Sequence, residues 1–182
     1  LAEFFLADEP PPALVRRMSQ RWLATQGDLR EVMTVLISSP EFWQRRGQKF
    51  KTPYRYLVST VRASGIQPSN PAALLAPLNA MGMPLYGRLT PDGYPQDKSA
   101  WLNPVGLQTR VNFAQTLARG RYIWHAAELQ GATPQPEDQP DPATVSRLID
   151  PLLSPQTLQR IQQAPAAQQM ALRLAAPEWL YD

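Results

Sequence analysis

Two acids and two aromatic residues lie close together in the segment 83–102 and could do chemistry. Asp92 and Asp97 are near neighbours there, and Tyr94 and Trp101 flank Asp97. Glycoside hydrolysis needs two carboxyl groups at a set separation, and aromatic faces can stack on a sugar or a peptide. Asp92 followed by glycine is also a turn signature, in which the carboxylate caps its own turn. We favour the turn for Asp92, and the aromatic residues could equally pin the loop to the helical body.

Arg110 is the cation that could act together with this loop. It lies one helical turn from Leu107 and from Phe113, so we expect it to be partly buried. A buried guanidinium needs a partner, and Asp92 or Asp97 is the natural candidate. Such a pair would clamp the loop onto the helix that carries Arg110. The alternative is that Arg110 holds an anionic group of a ligand with two hydrogen bonds.

A run of basic residues forms a second candidate site. The chain carries a net charge of +3, and its basic residues are concentrated between residues 41 and 62. Such a patch can attract nucleic acid or anionic lipid, although charged helix faces are usually just solvated, so we regard nucleic acid as an unfavoured partner. The predicted patch consists of Arg45, Arg46, Lys49, Lys51 and Arg55.

The remaining catalytic signals are weak. His125 is the only histidine, and Glu128 could orient it as a general base. We favour a half-buried helical histidine that is hydrogen-bonded locally. The chain has no cysteine, which excludes a disulfide, a thiol nucleophile and a thiolate metal site. It also lacks a phosphate-binding glycine loop, a dinucleotide fingerprint and a zinc-binding helix motif, so we predict no cofactor and no metal.

The elements that must position these residues are helices. Apolar residues recur at helical spacing, as in Leu29, Val32, Met33 and Leu36, and this pattern is typical of an amphipathic helix. Many helix starts are marked by a capping residue followed by proline at the first helical position. The sequence therefore predicts an all-α bundle of about eight to ten short helices. The capping pairs begin at Ser39, Thr52, Asn70, Asn103, Asp141 and Ser154.

Three further features concern the organisation of the chain. The segments 14–22 and 29–37 are closely linked amphipathic helices, which predicts a helical hairpin. The helix after Asn103 could continue towards Leu129, with Gly120 as a bend or a break. The segment 83–102 lacks periodicity, and irregular loops of this length are often functional. No apolar run is long enough to span a membrane.

The proline distribution predicts the domain organisation. Residues 131–142 contain four prolines and three acids, which is the composition of a linker. We therefore predict a helical body over residues 1–130, which includes the loop 83–102, and a C-terminal helical subunit over 143–182. This subunit is expected to pack on the body.

Several motifs together carry a resemblance to a known family. They are SSPEFW (38–43), KTP (51–53) with VSTVRASG (58–65), MG (81–82), PDGYP followed by WLNPVGLQTRVNFA (91–114), and LAAPEWLYD (174–182). In this order they resemble the C-terminal portion of the large bacterial family of unknown function numbered eighteen hundred. The resemblance covers nearly the whole chain. It implies a helical bacterial protein of several hundred residues that is exported, and hence periplasmic or extracellular, with its own N-terminal part as a partner.

Two hypotheses about function remain open, because the resemblance supplies no activity. In the first, the chain is a scaffold or interaction module, and the loop 83–102 contacts a protein or polymer partner. In the alternative, the chain is part of a hydrolase that acts on an extracellular polymer. The same loop would then line a cleft shared with an N-terminal half.

Overall fold

The computed structural model describes residues 1–45, 47–68, 70–120, 122 and 139–182. Within these residues the chain forms helices joined by turns, with one isolated antiparallel bridge between Phe50 and Tyr181. The predicted all-α fold is confirmed. Two one-turn helices, α1 and α7, were not predicted and bring the count in the described residues above eight to ten. The α-helices are α1 (Ala2–Phe5), α2 (Pro12–Ala24), α3 (Leu29–Ile37), α4 (Pro40–Gln44), α5 (Pro53–Ala63), α6 (Leu75–Ala80), α7 (Lys98–Trp101), α8 (Pro104–Ala118), α9 (Pro142–Ile149), α10 (Pro155–Gln163) and α11 (Ala166–Leu174).

The predicted capping residues are confirmed at the helix starts. Ser39 accepts a hydrogen bond from the amide of Phe42 at 3.2 Å, and Asn103 accepts one from Gly106 at 2.8 Å. Each cap satisfies a backbone N–H that has no partner inside the helix, which typically contributes about 1 kcal/mol to stability. The same arrangement is found at Asp28, Thr52, Asn70, Asp141 and Ser154.

Gly120 determines where α8 ends. The helix ends at Ala118, and Gly120 has a φ of +61°, in the left-handed region that glycine adopts without strain. Of the two alternatives, a bend and a break, the structure shows the break. Leu129 lies outside the described residues.

The first compact unit comprises residues 1–50, 96–98 and 181–182. Its main feature is a hairpin in which α2 packs against α3, as predicted. The hairpin turn has two hydrogen bonds, from Gly27 N to Trp22 O (2.9 Å) and from Gln26 N to Leu23 O (3.4 Å). These are the bonds of a Schellman cap, with Gln26 in the left-handed conformation. The core of the unit consists of Ala2, Leu6, Ala7, Leu14, Met18, Val32 and Leu36.

The second compact unit comprises residues 51–95 and 99–180. In it α11 packs against α8, α9 and α10, while α5 contacts α6 and α9. The buried side chains form one apolar cluster, so the C-terminal helices share a core with α5 and α8. That cluster contains Tyr56, Leu57, Val61, Ala63, Ile66, Leu78, Met81, Phe113, Ala114, Leu117, Val145, Ile149, Met170, Leu174, Ala176 and Trp179.

The buried face of α5 differs in one residue from a simple apolar stripe. Leu57 and Val61 are buried, as their spacing predicts, but Tyr54 is exposed. Tyr56 is buried instead, and its ring packs edge to face against Phe113 with centroids 6.4 Å apart. Helical spacing aligns Tyr54 with Leu57 and Val61 and therefore predicts the wrong tyrosine inside, because Tyr54 and Tyr56 both lie next to the stripe.

The predicted division of the chain stays a prediction. Residues 131–138, most of the predicted linker, lie outside the described residues. The chain passes from the first compact unit to the second between residues 50 and 51, where the sequence does not have the composition of a linker.

None of the helices in the described residues combines the length and the apolar character that crossing a bilayer requires.

The partly buried phenol of Tyr122 predicts a loss of stability at alkaline pH. Its hydroxyl donates to the carbonyl of Ala73 at 2.7 Å, and burial raises its pKa to about 12. In an unfolded chain a tyrosine has a pKa of about 10. Stability should therefore be unaffected by this group below about pH 10, and should fall as the pH rises towards about 12 because only the unfolded chain loses the proton.

Thermal melting between about pH 9 and 12 checks this expectation. Tyr122→Phe should flatten the alkaline decline in melting temperature, whereas Tyr54→Phe, at an exposed position, should leave it unchanged. Equal slopes for the wild-type chain and Tyr122→Phe would contradict the assignment.

Candidate functional site

The two aromatic residues of the loop 83–102 bond to the backbone of the loop itself. The hydroxyl of Tyr94 donates to the carbonyl of Pro84 at 2.6 Å, and the indole of Trp101 donates to the carbonyl of Pro95 at 2.9 Å. Trp101 is buried, and the two rings lie 6.1 Å apart at a tilted angle. These bonds join parts of the loop to each other, and the pinning of the loop to the helical body stays a prediction.

The tip of this loop points apolar side chains into solvent. We call Leu85, Tyr86 and Leu89 the loop tip; they are 48%, 93% and 97% exposed. Tyr86 has a φ of +58°, a conformation that costs a non-glycine residue free energy. The missing periodicity identifies the loop but not these three residues. Without periodicity, the sequence does not distinguish an exposed leucine from a buried one.

Asp92 lies beside the loop tip, in the predicted turn. Gly93 N donates to Thr90 O at 3.2 Å, and Gly93 adopts a φ of +70°, so the turn is confirmed. Asp92 forms an exposed ion pair with Arg88 at 3.3 Å. Hydrogen bonds from Thr90 and then from Arg88 lower the pKa of Asp92. The carboxylate is thus ionised at neutral pH and bound to its own loop.

Asp97 belongs to the first compact unit, whereas Asp92 belongs to the second. Asp97 is half-buried and directly precedes α7. The adjacent amide of Lys98 donates to the carboxylate of Asp8 at 2.6 Å, which fixes this short segment to the first unit.

Arg110 is 1% exposed, so the expected burial is confirmed and is deeper than predicted. Its Nη2 donates to the carbonyl of Lys51 at 2.8 Å, and its guanidinium carbon lies 5.0 Å from the centre of the Tyr56 ring. Desolvation lowers its pKa to about 10, and the charge of Tyr56 opposes this shift. Of the two predicted partners of Arg110, Asp92 is wrong because it bonds to Arg88 at the loop surface, and Asp97 stays a prediction.

Lys51 is also buried, so the predicted basic patch is wrong at this position. Its Nζ donates to the carbonyl of Trp179 at 2.8 Å and lies 3.5 Å from the centre of the indole ring. Cation–π contacts of this kind are strongest where water is excluded. The backbone of Lys51 is engaged as well, because its amide donates to Leu180 O at 2.8 Å.

The other patch residues divide between buried and exposed positions. Lys49 is buried and pairs with Asp8 at 2.6 Å, so it is not part of a free basic surface either. Arg45 is half-buried and donates to the carbonyl of Glu9 at 3.2 Å, and Arg55 is half-buried. Arg46 lies outside the described residues. A charge run does not show which lysines bury their long apolar stems, and this is why the patch prediction failed.

Two further predicted features concern histidine and metal. His125 and Glu128 lie outside the described residues. Within the part of the chain that the structure describes, no three histidine, aspartate or glutamate side chains converge in a group that could hold a metal ion.

A shallow cleft of about 370 Å³ in the first unit was not predicted. Arg17 and Glu41 close one side with an ion pair at 2.9 Å, so the guanidinium is already neutralised. The lining residues are Arg17, Val35, Ser38, Ser39, Pro40 and Glu41.

Comparison with known proteins identifies the family. The sequence model of the family described as "Protein of unknown function (DUF1800)" matches residues 1–181. The chain belongs to this family. No curated protein and no solved structure matches the chain. The matched residues include the loop, its tip and, except for Asp182, both compact units, and the family description assigns them no activity.

The burial of Arg110 predicts a structural role. Arg110→Ala should lower the free energy of unfolding by about 3 kcal/mol, because it removes a buried hydrogen bond and leaves a cavity beside Tyr56. Urea unfolding measures this change. Arg62→Ala, at an exposed position of α5, is the control and should change stability little. Equal stabilities of Arg110→Ala and Arg62→Ala would show that Arg110 does not support the fold.

The Tyr94 hydroxyl predicts how firmly the loop is held. Tyr94→Phe removes one hydrogen bond worth about 1 kcal/mol, so the loop should open about fivefold more often. Trypsin should then cleave faster after Arg88. Tyr86→Phe removes a hydroxyl from the exposed tip and serves as the matched control. Cleavage of Tyr94→Phe at the wild-type rate would mean that this bond does not restrain the loop.

Proposed function

We propose that this chain is a non-catalytic interaction module that binds a protein partner through its loop tip. The observation that carries the proposal is the pinned presentation of apolar side chains. Leu85, Tyr86 and Leu89 are exposed, while Tyr94 and Trp101 anchor the segment that bears them.

The anchoring matters because binding costs conformational entropy. A loop that is ordered before it meets its partner loses less freedom on binding than a flexible one. The hydrogen bonds of Tyr94 and Trp101 supply this order at the base of the loop. Tyrosine is also enriched among the residues that dominate interface energies.

The surroundings of the loop tip have the composition of an interface rim. The Arg88–Asp92 ion pair is exposed beside the apolar residues. Polar groups at a rim contribute little to affinity, but they exclude water from the centre and orient the partner. The partner that fits is a protein with an apolar pocket bordered by polar groups.

The state of Asp92 favours binding over hydrolysis. A general acid in glycoside hydrolysis needs a raised pKa, which enclosure by apolar groups provides. The pKa of Asp92 is lowered instead, by Thr90 and Arg88, and its side chain is largely exposed. Because these properties are the opposite of what an acid catalyst requires, we do not extend the hydrolase alternative to this carboxylate.

The proposal also states in which compartment the chain meets its partner and where that partner comes from. The family resemblance supports a bacterial, exported protein, so the partner is to be sought in the periplasm or outside the cell. It is either a separate protein or an N-terminal part of the same protein. The absence of cysteine from the chain is compatible with either side of the membrane.

Photo-crosslinking in the producing bacterium tests the proposal. A benzoyl-phenylalanine placed at position 86 should form an adduct, whereas the same residue at position 54 should not, although both tyrosines are exposed. Leu89→Ser should reduce the yield at position 86 several-fold, because it removes buried apolar area from the interface. Leu152→Ser, at another exposed leucine, should leave the yield unchanged.

The mass of the adduct separates the two sources of the partner. A crosslink to a separate protein increases the mass of the adduct by the mass of that partner. A crosslink within one protein changes only its migration in gel electrophoresis. Equal adducts from positions 54 and 86, or a yield that Leu89→Ser does not lower, would contradict the proposal.

A further inference from the structure

The α2–α3 hairpin carries a second exposed apolar surface, in the first compact unit. We call Trp22, Leu23 and Leu29 the hairpin tip; Leu23 is 76% and Leu29 57% exposed. Trp22 is exposed as well. Trp22 and Leu23 belong to the last turn of α2, and Leu29 begins α3, so the three residues lie on either side of one turn.

The hairpin tip is held in a fixed shape. The Schellman bonds of Gln26 and Gly27 close the end of α2, and Asp28 caps α3 by accepting from the amides of Arg30 and Glu31. The Trp22 ring lies over Gly27, where a Cβ would come within 3.3 Å of it. The apolar side chains are thus presented by a rigid turn.

Two exposed arginines of the hairpin, one on each helix, form no ion pair within the described part of the chain. Arg21 is bound to Glu31 at 3.1 Å, and Arg17 is bound to Glu41. By contrast, Arg16 and Arg30 are exposed and form no salt bridge with the residues that the structure describes. Arg16 precedes Leu23 by seven residues on the same face of α2, and Arg30 follows Leu29 directly.

We propose that the hairpin tip binds the surface of an anionic lipid bilayer. The leucines would enter the boundary between headgroups and acyl chains, where tryptophan is also favoured. Arg16 and Arg30 would contact lipid phosphates. This inference concerns a different surface from the loop tip and does not rest on the function proposed above.

Partitioning of the 182-residue chain into vesicles tests this inference. Flotation compares vesicles of phosphatidylcholine with vesicles that also contain phosphatidylglycerol. The chain should bind the anionic vesicles, and high salt should weaken the binding because it screens the arginines. The double variant Leu23→Ser/Leu29→Ser should lower the partition coefficient at least about tenfold. Arg16→Gln/Arg30→Gln should lower it on the order of tenfold on anionic vesicles only.

Matched variants control for the loss of apolar area and of charge. Leu148→Ser/Leu152→Ser removes two exposed leucines elsewhere, and Arg62→Gln/Arg160→Gln removes two exposed arginines. Both should bind as the wild-type chain does. All substituted side chains are exposed, so circular dichroism should show an unchanged fold.

Three results would overturn the inference. The first is no binding to anionic vesicles at low salt. The second is equal binding by the wild-type chain and the Leu23→Ser/Leu29→Ser variant. The third is a dimer, detected by light scattering, that this variant abolishes while vesicle binding is absent, because the surface would then join two copies of the chain.

Discussion

The buried position of Lys51 is the constraint on which the second compact unit depends. Its amide donates to Leu180 O, its carbonyl accepts from Arg110, and its ammonium donates to Trp179 O. One residue at the start of α5 is thereby tied to α8 and to the 3-10 turn Glu178–Leu180. A buried ammonium is costly unless it is bonded, so these segments must come together for the lysine to be buried at all.

Two polar side chains of α5 extend the same network. The hydroxyl of Tyr56 lies 3.0 Å from the carbonyl oxygens of both Arg110 and Leu174, and it shares its single proton between them. The indole of Trp179 donates to the Thr60 hydroxyl at 3.1 Å. Burial raises the pKa of Tyr56, which keeps its phenol neutral and able to donate. Arg110, for which ligand binding was the alternative to a structural clamp, and Lys51, which was predicted to lie in a basic patch, thus hold the fold, and the binding proposals rest on exposed apolar residues.

Interactions between residues close in sequence were predicted correctly, whereas interactions between residues far apart in sequence were missed. The caps at Ser39 and Asn103 were predictable because donor and acceptor lie three residues apart, and the same holds for the break at Gly120. The hydrogen bond from Arg110 to Lys51 was not predictable, because its acceptor is a backbone carbonyl 59 residues away. Burial of Lys49 and Lys51 was missed for the same reason. The missing periodicity predicted the loop. The loop tip was not predictable, because the tertiary fold decides which leucines are exposed and the local sequence does not show this.

Amide hydrogen exchange of a Lys51→Met chain tests the central claim most directly. Methionine keeps most of the apolar stem of lysine and removes the ammonium, so the bond to Trp179 O and the contact with the indole ring are lost while the backbone bonds of residue 51 remain. Amides of α5, α8 and residues 178–180 should exchange faster together, by a similar factor of about ten or more, because opening the network releases all three segments. Lys98→Met, at an exposed position, should leave their rates unchanged. Acceleration confined to the amides next to residue 51 would contradict the claim that these segments depend on one buried lysine.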